Sequence, residues 1–101
     1  MKYTVKILPE AQDDIDKLQL VQKDKLQTDY KTVQAVDIEA VIVKSLGDKL
    51  FEIKTSELRS IFEYKKDQII VISVDFIKKT QKTEKTYIKR AKKILEKYKD
   101  I

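Results

Sequence analysis

Cysteine and histidine are both missing from this 101-residue chain. Without cysteine there is no disulfide framework, thiol nucleophile or zinc–thiolate centre. Without histidine, the Ser-His-Asp triad, histidine-pair RNA cleavage and every imidazole metal site fall away together. Glycine and proline occur once each, which leaves no Gly-rich phosphate loop and no disordered linker. No apolar run approaches the roughly 20 residues of a membrane-spanning helix, and no apolar segment follows the start as in a signal peptide. The expectation is one domain, residues 1–101, in a reducing cytoplasm, with no membrane partner, cofactor or metal.

What is abundant is charge. Charged residues make up 39% of the chain and hydrophobic residues 42%, enough to fill one core beneath a salt-rich exterior. Net charge is +5, and all but two of the 22 basic residues are lysine. The charge is polarised along the chain. Residues 78–99 carry +8, so the remainder carries −3, and residues 10–39 lean acidic. A basic block this dense is able to hold a phosphate backbone through counter-ion release, although a charged face also simply keeps a small protein soluble.

Lys2-Tyr3-Thr4-Val5-Lys6-Ile7-Leu8 alternates as a half-buried strand does. Pro9 ends it and opens a short helix with Ala11, Ile15 and Leu18 on one face. A second helix is expected from about Gln22 to Leu46, with Leu26, Tyr30, Val33, Val36, Ala40 and Val43 in a 3.6-residue period and Gly47 as its C-terminal cap. Asp13, Asp14 and Asp16 scatter around the first helix rather than forming a Mg2+ cluster. From Leu50 the period becomes two. Leu50–Thr55, Leu58–Tyr64 and Ile69–Ile77 read as strands, the last apolar on both faces and therefore central. A helix from Glu84 to Lys99 follows, apolar along Tyr87, Ile88, Ala91, Ile94, Leu95 and Tyr98 and basic on its other side. The order β-α-α-β-β-β-α describes a small α+β domain, an antiparallel sheet packed by helices.

This order, with its basic C-terminal segment, resembles the RelE/ParE superfamily of toxins from bacterial toxin–antitoxin operons. Phe76-Ile77-Lys78-Lys79-Thr80-Gln81-Lys82-Thr83 is similar to the F-x-K-K-T/S-Q-K-T pattern of the phage-type HigB branch. Leu50-Phe51-Glu52-Ile53-Lys54 and Leu58-Arg59-Ser60-Ile61-Phe62 resemble that family's L-W/F-E-L/I-R and Y/L-R-x-x-Y/F strands. Lys54 stands where Arg is commoner, Glu84 where Pro is usual, and Asp75 where Gly is frequent. The resemblance implies a ribosome-dependent mRNA endonuclease, neutralised by a small helix-turn-helix antitoxin of the HigA type.

A Lys/Arg site without histidine suits RNA cleavage in which the 2′-OH attacks the adjacent phosphorus and the 5′-oxygen leaves. The protein then aligns these atoms, stabilises phosphorane charge and moves two protons. Arg59 is the candidate charge clamp, since guanidinium offers fixed donors matched to phosphate; its structural alternative is pairing with Glu57 or Glu63. Lys54 and Glu52 share a strand face, and either is a candidate general base. Lys79 and Lys82 are candidates for substrate contact or general acid. Lys78 is a candidate substrate contact, with Tyr87 stacking on a base, donating its phenol proton or simply filling the core. Lys85, Lys89, Arg90, Lys92 and Lys93 form a candidate ribosomal-RNA docking face. Two other readings stay open: a ParE-like inhibitor of DNA gyrase, and a non-catalytic nucleic-acid-binding module tethered by the basic helix.

Overall fold

The computed structural model describes residues 2–79 and 85–99. The alternating start of the chain forms strand β1 (Thr4–Ile7), and Pro9 opens helix α1 (Pro9–Asp16) from an extended Leu8. Proline's missing N–H is harmless there, because a helix's first N–H groups have no partner within it. Helix α2 (Leu20–Ala35) starts at Gln19, where the side chains of Gln19 and Gln22 cap each other's backbone N–H groups.

The expected long second helix stops well short of Leu46. After Ala35 come a single 3-10 turn (Ile38–Ala40) and an unforeseen strand, β2 (Ile42–Gly47). Asp37 accepts the Glu39 N–H on its own carboxylate at 3.2 Å, a local bond that competes with helix continuation. The β-branched run Val41-Ile42-Val43 then favours a pleated strand. Gly47 accordingly caps no helix. It has φ +85° and leads, with Asp48 and Lys49 also left-handed, into the turn between β2 and β3.

Strands β3 (Leu50–Thr55), β4 (Leu58–Lys65) and β5 (Ile69–Ile77) fall where the two-residue period placed them, and helix α3 (Lys85–Lys97) follows. The strand order is β1-β5-β4-β3-β2. Strand β5 is interior, between β1 and β4, but the middle position belongs to β4 rather than to β5 as expected. The sheet is not wholly antiparallel, since β1 runs parallel to β5; the long excursion between these strands leaves their relative direction free of any hairpin. Among the described residues no helix is long and apolar enough to cross a membrane.

Each sheet face has its own helix layer. Ala11, Ile15, Leu26, Tyr30 and Val33 from α1 and α2 pack on Ile53, Leu58, Phe62, Ile70 and Ile72. Ala91, Ile94 and Leu95 from α3 pack on Leu50, Ile61, Val71, Val74 and Phe76 on the other side. Within β5 the pairing with β4 jumps from Ile72 to Val74, leaving Ser73 as a bulge whose hydroxyl donates to the Ile61 carbonyl at 3.0 Å. An extra residue reverses every side chain beyond it. The bulge therefore sends Val74 and Phe76 toward α3 and Asp75 toward α2.

Candidate nucleic-acid interface

Strand register builds the site. Ile42, Lys54, Arg59 and Phe76 are successive cross-strand partners on β2, β3, β4 and β5, so their side chains share one face of the sheet. A second row, Lys44, Glu52, Ile61 and Val74, lies beside the first. Helix α3 packs over β5 and β4 on this face. Toward β2 the face is open: Lys44 and Lys54 are exposed, and Ile42 keeps 64% of its surface in solvent.

Arg59 and Glu52 are buried, at 8% and 1% exposure, and pair with one another: Arg59 Nε lies 3.4 Å from Glu52 Oε1. Arg59 Nη1 also donates to the carbonyls of Ser56 and Leu58, at 2.8 Å each. The structural partner of Arg59 is therefore Glu52, rather than Glu57 or Glu63. Glu63 faces Lys65 at 3.4 Å, and Glu57 lies 3.9 Å from Lys25. Lys54, directly opposite Arg59, is the accessible cation of the pair.

On the other flank of Arg59, the rings of Phe76 and Tyr87 stack with centroids 3.9 Å apart and planes 5° apart. Tyr87 is half-buried and packs against the core cluster under α3. Lys78, half-buried, ties its backbone N–H to the Glu57 carbonyl at 2.7 Å, while Lys79 is exposed where β5 ends. Lys82, with the Thr80–Glu84 stretch that contains it, lies outside the described residues.

The basic face of α3 is smaller than the charge count implied. Lys85, Lys89 and Lys93 project into solvent. Lys92 instead meets Asp48 at 2.7 Å, and Arg90 forms a two-pronged pair with Asp14 at 2.9 and 3.0 Å. Charge alone does not reveal which cations have a carboxylate beside them. A recess of about 460 Å3 beside Lys54, lined also by Asp24, Lys25 and Asp29, mixes both signs and makes a poor seat for phosphate.

Asp75 lies on the opposite face of the sheet. There it accepts hydrogen bonds on Oδ1 from Tyr30 (2.7 Å) and Ser60, whose hydroxyls also meet each other at 2.8 Å. Its Oδ2 is the buried polar side-chain atom among the described residues that has no partner. Burial foremost, and then the nearby Asp14 carboxylate, push the Asp75 carboxyl up to about 7, against the opposing pull of Ser60, Tyr30 and Arg90.

Sequence reasoning missed Lys44 and Ile42 as site neighbours because it placed both in a helix. The signal available was the Val41-Ile42-Val43 run, whose β-branching is unusual in a helix interior.

The sequence pattern of the phage-derived Gp49-like protein family (DUF891) matches residues 13–96. No curated protein sequence matches the chain at a significant level. Among solved structures, E. coli toxin RelE in the free state superposes with a TM-score of 0.65 at 20% identity, over 94% of this chain and 100% of that one. The archaeal RelE–RelB complex from Pyrococcus horikoshii OT3 gives a TM-score of 0.63 at 20% identity, over 78% of this chain and 98% of that one. The toxin–antitoxin complex RelBE2 from Mycobacterium tuberculosis gives 0.63 at 17% identity, over 77% and 100%. Identities this low establish a shared fold. With a family match across most of its length, the chain belongs to the phage-derived Gp49-like family and carries the RelE toxin fold.

Proposed function

We propose that the protein is the toxin of a toxin–antitoxin pair, of the phage-type HigB branch, and that it cleaves mRNA on the ribosome in the cytoplasm. The observation that carries this reading is the in-register row Lys54–Arg59–Phe76, with Tyr87 stacked at its end, on a sheet face that α3 leaves partly open. Two like charges directly opposite one another destabilise a sheet. Glu52 offsets the charge of Arg59 on this face, so the exposed Lys54 is the cation an incoming phosphate would meet.

In this reading the RNA phosphate sits against Lys54, with Arg59 behind it supplying charge from a fixed position. The 2′-oxygen attacks phosphorus, a 2′,3′-cyclic phosphate forms, and the 5′-oxygen leaves with a proton. Lys54 Nζ accepts the 2′-hydroxyl proton in this reading, because Glu52 is sealed beneath the surface and serves instead to hold the Arg59 guanidinium. Lys79, exposed just beyond β5, takes the role of protonating the leaving oxygen in this reading. Tyr87 and Phe76 offer a stacking surface for an unpaired base. Lys78 and Lys82 extend the contact along the substrate, and Lys85, Lys89 and Lys93 dock on ribosomal RNA.

A face this shallow encloses little of an RNA strand, so the ribosome is expected to complete the site. The partner proposed is an antitoxin, which the toxin–antitoxin complexes among the solved relatives support; its helix-turn-helix type rests on the HigB resemblance alone. The test compares one defined mRNA, free and bound in the A site of purified ribosomes. Cleavage only on the ribosome, lost in Lys54→Ala, supports the reading. No cleavage in either setting, with supercoiling by purified DNA gyrase inhibited instead, replaces it with the ParE-like reading. Salt-sensitive RNA binding without either activity leaves a basic binding module.

A further inference from the structure

Asp14 grips two elements of the site face at once. Its Oδ2 accepts the backbone N–H of Asp75 at 3.1 Å, immediately before Phe76 in β5. The same carboxylate receives both prongs of Arg90, Nη1 on Oδ2 at 2.9 Å and Nη2 on Oδ1 at 3.0 Å. Arg90 lies one helical turn after Tyr87 and directly before Ala91, which is fully buried against the sheet. One carboxylate on α1 thus fixes the strand that carries Phe76 and the helix that carries Tyr87. Those two rings meet face to face, 3.9 Å between centroids.

The chemistry suits this task. A fork-to-fork guanidinium–carboxylate pair sets angle as well as distance, which a lysine would not do. The side chain of Asp14 is only 13% exposed, so the pair is partly shielded from water and salt. The burial of Asp14's contacts also accounts for an aspartate that the sequence left as one of several scattered acids on α1. Its neighbour one turn earlier, Glu10, supplies an internal comparison. Glu10 also ties α1 to α3, through Lys97 at 2.7 Å and Tyr98 at 3.0 Å. Those contacts lie about 15 Å along the helix from Tyr87, at about 1.5 Å per residue.

We propose that Asp14 is a positioning residue that sets the Phe76–Tyr87 stack beside Arg59, whereas Glu10 only fastens the far end of α3. Its importance to RNA cleavage rests on the function proposed above; its control of the stack does not.

The test reads the stack directly in the free protein. A ring lying flat on another shifts its NMR signals, and Phe76→Leu gives the positions of the Tyr87 ring protons without that neighbour. Asp14→Ala is expected to move these signals more than half of the way to the Phe76→Leu positions, and Glu10→Gln to leave them in place. Asp14→Asn, which keeps an acceptor for the Asp75 N–H but loses charge toward Arg90, is expected between the two and covers the case in which Asp14→Ala does not fold. On ribosome-bound mRNA, Asp14→Asn is expected to lower kcat about tenfold with KM little changed, a loss confined to the transition state. Unmoved Tyr87 signals in both Asp14 variants would overturn the proposal, as would equal shifts in Glu10→Gln. Shifted signals in a protein whose wild type cleaves no RNA would uphold the positioning and reject the nuclease reading.

Discussion

Lys54 and Arg59 face each other across β3 and β4, one exposed and the other buried on Glu52. The two cations therefore have different consequences when removed. Lys54→Ala should leave the urea unfolding midpoint nearly unchanged, as surface substitutions usually do, while abolishing RNA cleavage. Arg59→Ala takes the facing cation away from the buried Glu52 carboxylate and should lower stability, by up to about 3–5 kcal/mol. Arg59→Ala alone would confuse unfolding with lost chemistry; paired denaturation curves and cleavage assays separate them.

Lys44 is expected to behave as a phosphate contact. It stands opposite Glu52 on the open face, close to Lys54 in the neighbouring row. Lys44→Ala should weaken RNA binding by a similar factor for every sequence. It should also flatten the dependence of log affinity on log salt by about 0.7, the value for one single-strand phosphate contact. Fluorescence anisotropy across a salt series measures both.

Tyr87 separates two roles by a single oxygen. If the ring acts by stacking on Phe76 and a base, Tyr87→Phe retains most activity and Tyr87→Ala loses it. If the phenol transfers a proton, Tyr87→Phe and Tyr87→Ala fall together, by about 10²–10⁴-fold. The stacked geometry predicts the first pattern in single-turnover cleavage.

Asp75 predicts an unusual pH profile. Its carboxyl lies near 7 in the folded protein, above the unfolded value of about 3.9. The folded state therefore holds a proton that the unfolded chain has already released between these values. The resulting stability is full below about pH 4 and disappears as pH rises through about 7, a contribution on the order of 4 kcal/mol. Asp75→Asn, neutral at every pH, should match the wild type near pH 4 and exceed it at pH 8. Chemical denaturation of both proteins across that range checks the difference, in which the other titrating groups largely cancel.

The parts of the fold that were legible in the sequence share a cause. β3, β4 and β5 alternate with the core on both sides, and α3 has a clear apolar stripe, so local pattern and tertiary burial agree. The second helix was overextended because Val36, Ala40 and Val43 continued the spacing of Leu26, Tyr30 and Val33 past the true end at Ala35. Periodicity of apolar residues does not register that Asp37 turns back on its own backbone. Within the site, Lys54 and Glu52 could be placed on one face because strand parity is local. That Arg59 spends itself on Glu52, and Arg90 on Asp14, depends on partners up to 76 residues away in the chain. The Ser73 bulge was equally invisible, and it alone moves Asp75 from the α3 face to a pocket under Tyr30.

The central claim is cleavage of mRNA during translation, and mapping RNA 5′ ends after brief induction in a bacterial host tests it most directly. The wild type is predicted to create new ends inside translated codons, absent when translation is blocked and absent in Lys54→Ala at equal protein level. Growth arrest with an unchanged set of 5′ ends would contradict the account.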